Sequence, residues 1–188
     1  MLFRSVGGQG PGSDDDMFTN LLRNTFGVKA RLVSGYPGGN EINLAMERGE
    51  VDGRCGWSWS SLKSLKQWLP QINVLAYFAV QKNAELPQVP WTIERAKDEE
   101  QRQVLRLLTA GQFLGRPFFA TPDVPADRKA ALRAAFDATM KAPQFLAEAT
   151  KLDLEVTPVS GQAIDAFLAG LYATPKEVVR KATAAIQK

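Results

Sequence analysis

The apolar positions change period along this chain, and each change marks an element. Between Met17 and Phe26 they fall at Met17, Phe18, Leu21, Leu22 and Phe26, the spacing of one helix face, and Gly27 follows as a left-handed stop. Ser13 precedes this face with capping-box spacing to Asp16, while Asp14, Asp15 and Asp16 fill the first turn, where the helix dipole favours carboxylates. Leu2 to Val6 predicts a strand before the helix. Gly7-Gly8-Gln9-Gly10-Pro11-Gly12 predicts a loop, because glycine and proline deny both helix and ladder. Val28 to Ser34 predicts a second strand, and the stretch from Val33 to Ser61 repeats the motif. The loop Gly35-Tyr36-Pro37-Gly38-Gly39 leads into a helix of about two turns, with Asn40 as N-cap, Glu41 in the first turn, Ile42, Ala45 and Met46 on one face and Gly49 as stop. A third strand, Val51 to Cys55, ends in the small-residue loop Gly56 to Ser60.

Beyond it the spacing predicts a helix of about ten residues from Ser60, burying Leu62, Leu65, Trp68 and Leu69 and stopped before Pro70. Ile72 to Val80 is apolar and β-rich, the pattern of a strand covered on both faces of a mostly parallel sheet. Asn83 to Pro90 is a proline-marked loop, Asp98 to Gly115 a long helix with Val104, Leu105, Leu108 and Leu114 inward, and Arg116 to Thr121 an extended crossing. At Pro122-Asp123-Val124-Pro125 the composition shifts and the chain becomes alanine-rich. Helices are predicted over 126–141, 144–151, 160–172 and 175–188, with a strand at Leu154 to Thr157. Ser160 and Thr174 suit N-caps, and Pro175 the first helical position. Strands alternating with helices argue for an α/β fold around a mostly parallel sheet, with the division between residues 1–121 and 122–188.

Composition narrows the class. The chain has 188 residues, 45% hydrophobic and 23% charged, which is ordinary for a globular protein and excludes disordered and fibrous classes. Its net charge of +3 comes from scattered Lys and Arg, so no nucleic-acid tract is present. Val74 to Val80, the longest apolar run, falls far short of the roughly twenty residues a membrane span needs. One cysteine, Cys55, excludes an intramolecular disulfide framework.

Candidate chemistry sits where strands end. A glycine-rich turn opening a helix presents backbone N–H groups to an anion, so Gly7 to Ser13 reads either as a ligand loop or as a plain tight turn. It lacks the lysine of a GxxxxGK[ST] phosphate loop and the spacing of a dinucleotide fingerprint. Asp14 to Asp16 pointing to solvent would only start the helix, the reading the residues favour; one facing a ligand would select a hydroxyl or amino group on it. Trp57 and Trp59 flank Ser58 at period two, so one can line a cleft while the other enters the core, or both can be core. Arg54 could grip a carboxylate with its fork or pair with Asp52 or Glu50, and Tyr36 could orient a ligand or cap the sheet edge. Catalysis has little support. With no histidine the commonest general base is missing, Cys55 has no Cys–His partner, and Cys/His metal sites are excluded. No catalytic residue, metal or cofactor is expected. Cys55 is expected to be buried and chemically silent.

Several of these stretches resemble one family. Gly35-Tyr36-Pro37-Gly38, the helix through Met46, Gly49-Glu50-Val51-Asp52, the opening Gly7 to Asp14, Leu86-Pro87-Gln88-Val89-Pro90, Arg116-Pro117-Phe118 and the run from Pro122 to Pro125 are similar, in order and spacing, to the receptors of tripartite tricarboxylate transporters, the Bug family of periplasmic solute-binding proteins. The resemblance covers nearly the whole chain. It implies one lobe of a type II periplasmic-binding-protein clamshell, a mostly parallel sheet with flanking helices, in residues 1–121, plus an α-rich segment, 122–188, that would complete the first lobe. It implies a periplasmic receptor for a small organic acid, delivered to membrane permease subunits, with no nucleic-acid partner and no direct membrane insertion. The glycine loop then becomes a ligand loop, and the implied contacts are Gly8, Gln9, Gly10, Gly12, Ser13 and Asp14, then Tyr36, Pro37 and Gly38, then Trp57 and Ser58. Receptors of this family carry a whole lobe before the glycine-rich opening, so the chain is expected to be an N-terminally truncated fragment. Leu132, Phe136, Met140, Phe145, Leu146, Phe167, Leu168 and Leu171 would then lack part of their burial partner, at about 1.5–3 kcal/mol for each large side chain left in water. Two other classes stay open: an enzyme fragment with a glycine-rich anion loop or a carboxylate-based hydrolase, and a cytoplasmic effector-binding module.

Overall fold

A computed structural model describes residues 4–187. Three strands, β1 (Arg4–Gly8), β2 (Ala30–Ser34) and β3 (Gly53–Arg54), form a parallel sheet in the order β2-β1-β3. Val6 faces Leu32 on one side and Gly53 on the other; Gly7 faces Val33 and Arg54. The connections are helices α1 (Asp14–Phe26) and α2 (Gly39–Glu47). The predicted first strand runs on through Gly7 and Gly8, while its Leu2 and Phe3 lie outside the described residues. Packing explains the extension: a Cβ on Gly7 would stand 2.6 Å from Cγ2 of Ile42, so only a bare backbone lets β1 approach α2 this closely.

The two helix starts differ from one another. Ser13 caps α1 as its sequence predicts, accepting from the N–H of Asp16 at 3.3 Å, and Gly27 ends the helix at φ 67°. For α2 the cap falls on Gly38 instead of Asn40, because the Gly38 carbonyl already accepts from the Ile42 N–H at 3.3 Å and leaves Asn40 exposed in the first turn. Ile42, Ala45 and Val51 form a buried cluster against which Val33, Tyr36 and Met46 pack.

After β3 come α3 (Trp59–Ser64), α4 (Glu99–Thr109), α5 (Gly111–Leu114), α6 (Ala126–Thr139), α7 (Pro143–Lys151), α8 (Gly161–Tyr172) and α9 (Lys176–Ile186). The predicted ten-residue helix from Ser60 is cut to six residues, and of its four apolar positions only Leu62 is buried. Pro70 bars Leu69 from continuing an α-helix, and Leu69–Gln71 forms a 3-10 turn instead. Ile72 to Val80 is not a strand. Its one ladder contact is a parallel bridge between Tyr77 and Trp91, with Tyr77 N–H donating to Pro90 O at 3.0 Å and Thr92 N–H to Tyr77 O at 3.1 Å. Leu154 to Thr157 pairs with no strand either. An apolar β-leaning run becomes a strand only where a neighbour supplies hydrogen bonds along its length. The predicted 98–115 helix breaks at Ala110, where Gly111, a poor helix former, follows.

The chain divides into two compact units, Met1–Val74 with Ala96–Leu105 and Pro175–Lys188, and Leu75–Arg95 with Arg106–Thr174. In the first, α9 lies along α1: Val178 and Ala182 are buried, and Asn24 donates to the carbonyls of Ala185 at 3.0 Å and Gln187 at 2.8 Å. The α1 side chain of Asn20 donates to the Ile186 carbonyl at 3.2 Å, so the orphan carbonyls at the end of α9 find donors on α1. In the second unit α6 and α8 bury no residue fully, and Phe118 and Phe119 are each 87% exposed. Leu132 and Leu146 are exposed, whereas Phe136, Met140, Phe145, Phe167, Leu168 and Leu171 are half-buried. No described helix is long and apolar enough to cross a membrane.

Candidate functional site

Because β1, β2 and β3 are parallel neighbours, the loops after them emerge at one edge of the sheet. The first loop, Gln9 to Ser13, and the second, Gly35 to Gly38, are joined directly: the N–H groups of Gly35 and Tyr36 both donate to Gly8 O, at 3.0 and 3.2 Å. The third, Cys55 to Ser58, meets α1 through Gly56. That residue has φ +70°, and a Cβ there would stand 2.8 Å from Asp15 N, so left-handed backbone and close approach both require glycine.

Two carboxylates at the start of α1 are the centre of this edge. Asp15 and Asp16 are 1% and 2% exposed, which corrects the reading of all three aspartates as solvent-facing helix starters; Asp14 alone is exposed. Asp16 accepts from Ser34 Oγ at 2.7 Å and from Gly10 N–H at 3.1 Å. Asp15 accepts from the Gln9 side chain and pairs with Arg54 Nη2 at 3.0 Å. Burial of a carboxylate is tolerated because each is supplied with donors, and no described buried side-chain N or O lacks a partner.

Arg54 therefore has a different partner from either of those anticipated. It does not pair with Asp52 or Glu50. Asp52 instead accepts from Ser5 N–H at 2.7 Å and Ser5 Oγ at 2.9 Å, which hold its carboxyl below the usual value, and Glu50 lies near Arg48. The Arg54 guanidinium, its side chain 9% exposed, also donates to Gly39 O at 2.9 Å, Asn43 Oδ1 at 3.0 Å and Cys55 O at 3.4 Å. It stands 5.1 Å from the Trp57 ring centroid, within cation–π range.

The anticipated contacts divide by what already occupies them. Ser13 Oγ donates to Gly10 O at 2.8 Å, Ser58 Oγ donates to Ser61 Oγ at 2.7 Å, and Tyr36 leans on the Ile42 cluster. Trp57 is half-buried and meets Trp68 edge-on at 5.9 Å. Gly12, Asp14, Pro37 and Ser58 are exposed, and Gly10 and Gly38 partly so. Cys55 is half-buried rather than buried; burial pushes its thiol up, countered by a Thr19 hydrogen bond. Among the described residues no group of three or more His, Cys, Asp or Glu could hold a metal ion. Ser34, Gly39 and Asn43 were not among the candidate contacts, and Asp15 and Asp16 entered only, with Asp14, as the less favoured alternative to solvent-facing helix starters. The signal for Asp15 was present in its position one turn before Phe18 and Thr19, on the face that spacing already assigned to the core.

The chain is similar in fold to the crystal structure of a TctC solute binding protein from Polaromonas, determined with no ligand, at 17% sequence identity and a TM-score of 0.60. The match covers 95% of this chain and 57% of that one, so the chain spans little more than half the length of that protein. The likeness is one of fold: a mixed α/β protein with a small parallel sheet and many helices, like a periplasmic binding protein domain. No family model matches the sequence, and no curated protein matches it.

Proposed function

We propose that the protein is a periplasmic solute-binding receptor that captures a small organic carboxylate and hands it to the permease subunits of a tripartite tricarboxylate-type transporter. The observation that carries this is the convergence of three strand-end loops, two glycine-rich and one tryptophan-bearing, at one edge of a parallel sheet. Fold-level likeness to a TctC solute binding protein supports the same reading. In this proposal the solute meets the exposed parts of Gly10 to Asp14, of Tyr36 to Gly38, and of Trp57 and Ser58. Residues 1–121 act as the ligand-binding lobe. Residues 122–188 belong to the segment that would complete the first lobe, although the compact units cut across that division: Leu75–Arg95 and residues 106–121 group with 122–174, and α9 packs on α1. The chemistry of this proposal is capture without turnover.

Thermal unfolding and calorimetric titration against succinate, malate and citrate test it. A saturable rise in unfolding temperature is expected, corresponding to about 2.7 kcal/mol at a hundredfold excess over Kd, with every added molecule recovered unchanged. Consumption of the added compound, or no shift with any carboxylate at millimolar concentration, would sink the proposal.

A further inference from the structure

We infer that Arg54 is the cross-tie that holds the three strand-end loops in one geometry, and that it is a positioning residue, not the group that grips a carboxylate. A guanidinium has five N–H donors in a rigid fork. Four are committed within the chain: Nε to the third loop at Cys55 O, Nη1 to Gly39 O and Asn43 Oδ1 of α2, and Nη2 to Asp15 of α1. One N–H remains, and one N–H cannot hold a carboxylate in bidentate fashion. The partners come from all three strand-end units, while the sheet itself contributes only Gly53 and Arg54 as β3. A two-residue strand fixes its downstream loop weakly, so the side chain that ends it does the fixing.

An independent observation points the same way. A Cβ on Gly39 would stand 2.5 Å from Arg54 Nη1 and 2.8 Å from Nη2, so the second glycine of Gly38-Gly39 is the seat of the guanidinium. The α2 turn, the Trp57 ring and Asp15 at the start of α1 thus all meet at the Arg54 guanidinium.

The inference rests on the receptor reading only in what the geometry is for; the cross-tie itself is testable without ligand. The variants are Arg54→Lys, which keeps the charge and loses the fork, and Gly39→Ala, which leaves Arg54 and Asp15 in the sequence but fills the seat. Backbone hydrogen exchange on the whole chain is read in peptides covering residues 9–15 and 38–44, with peptides from α1 after Asn20 and from α9 as internal reference. Both variants are expected to speed exchange about tenfold or more in both loops together, beyond whatever change the reference peptides show. Gly39→Ala loosening only 38–44, or Arg54→Lys exchanging like the parent protein, would overturn the cross-tie. Should Arg54→Lys lose protection everywhere, Gly39→Ala decides alone, because the three atoms nearest its added Cβ all belong to Arg54, provided that residues 34–36, the direct link to Gly8 and Asp16, keep their protection. Succinate titration forms the second arm. With the cross-tie loosened, affinity is expected to fall about tenfold. A parent protein that binds no carboxylate of the panel defeats the receptor reading and leaves the exchange result standing.

Discussion

The two compact units obey the same helix-forming rules and differ in what their helices touch. In the first, α1 presents Phe18 and Leu21, α2 presents Ile42 and Ala45, and α9 presents Val178 and Ala182, and all six side chains are buried. In the second, α6 and α8 are regular helices, α8 capped by Ser160 accepting from Ala163 N–H at 3.2 Å, yet they bury nothing completely. Tyr172, Phe118 and Phe119 stand 87% exposed, and ring contacts such as Phe113–Phe167 at 4.3 Å cover only part of the apolar surface. Helix formation is a local event driven by propensity, capping and spacing, whereas burial needs a second surface. A parallel sheet supplies such a surface in the first unit. No described strand supplies one in the second, where the only ladder contact is the Tyr77–Trp91 bridge.

That contrast can be broken from either side. The largest effect belongs to Phe18→Ala, which removes a fully buried ring and is expected to cost about 3–5 kcal/mol in denaturant unfolding. A loss below about 1 kcal/mol would mean that the first unit is no better packed than the second. Gly39→Ala comes next, at about 1–3 kcal/mol, the range for overpacking a filled site; a neutral result would show that the Arg54 seat yields freely.

The pH dependence of the first unit sharpens the comparison further. The Cys55 thiol is raised in the folded chain above its ordinary 9.0, so below 9.0 both states keep the proton and pH changes nothing. Above 9.0 the unfolded chain ionises first, and stability declines with rising pH until the folded thiol also titrates. Asp52 works in the opposite sense. Its folded value lies below 3.8, so its contribution is complete above 3.8 and is lost as pH falls through the folded value. Urea unfolding at a series of pH values should therefore lose its alkaline slope in Cys55→Ser and part of its acid slope in Asp52→Asn, and unchanged slopes would contradict both assignments. Rapid labelling of native Cys55 at neutral pH would do the same for the first. Smallest of all is the double change Phe118→Ser with Phe119→Ser, expected to shift stability by no more than about 0.5 kcal/mol while lowering the binding of an apolar fluorescent dye. A large loss of stability would show that these rings are covered in solution.

Several features were legible from the chain alone because they depend on residues close in sequence. The Ser13 and Ser160 caps, the left-handed stops at Gly27 and Gly49 and the alternation of strand and helix through Arg54 follow from neighbouring side chains and backbone freedom. The shared sheet edge of the three loops is a consequence of that alternation, since a helix between successive strands lets them run parallel. Other outcomes required partners distant in sequence. Ile72 to Val80 has the composition of a central strand and no ladder beyond Tyr77, because hydrogen bonds along a strand belong to the pair and not to the run. Asp15 and Asp16 looked like solvent-facing helix starters, and tertiary structure buried them by bringing Gln9, Ser34, Gly10 and Arg54 within hydrogen-bond distance. Arg54 found its counter-ion 39 positions away instead of at Asp52 or Glu50. Sequence determined both ends of α1 and the start of α8, because propensity and capping act within a turn. The burial of a charge was decided only by the fold, because desolvation is offset by donors that three separate elements must deliver to one point.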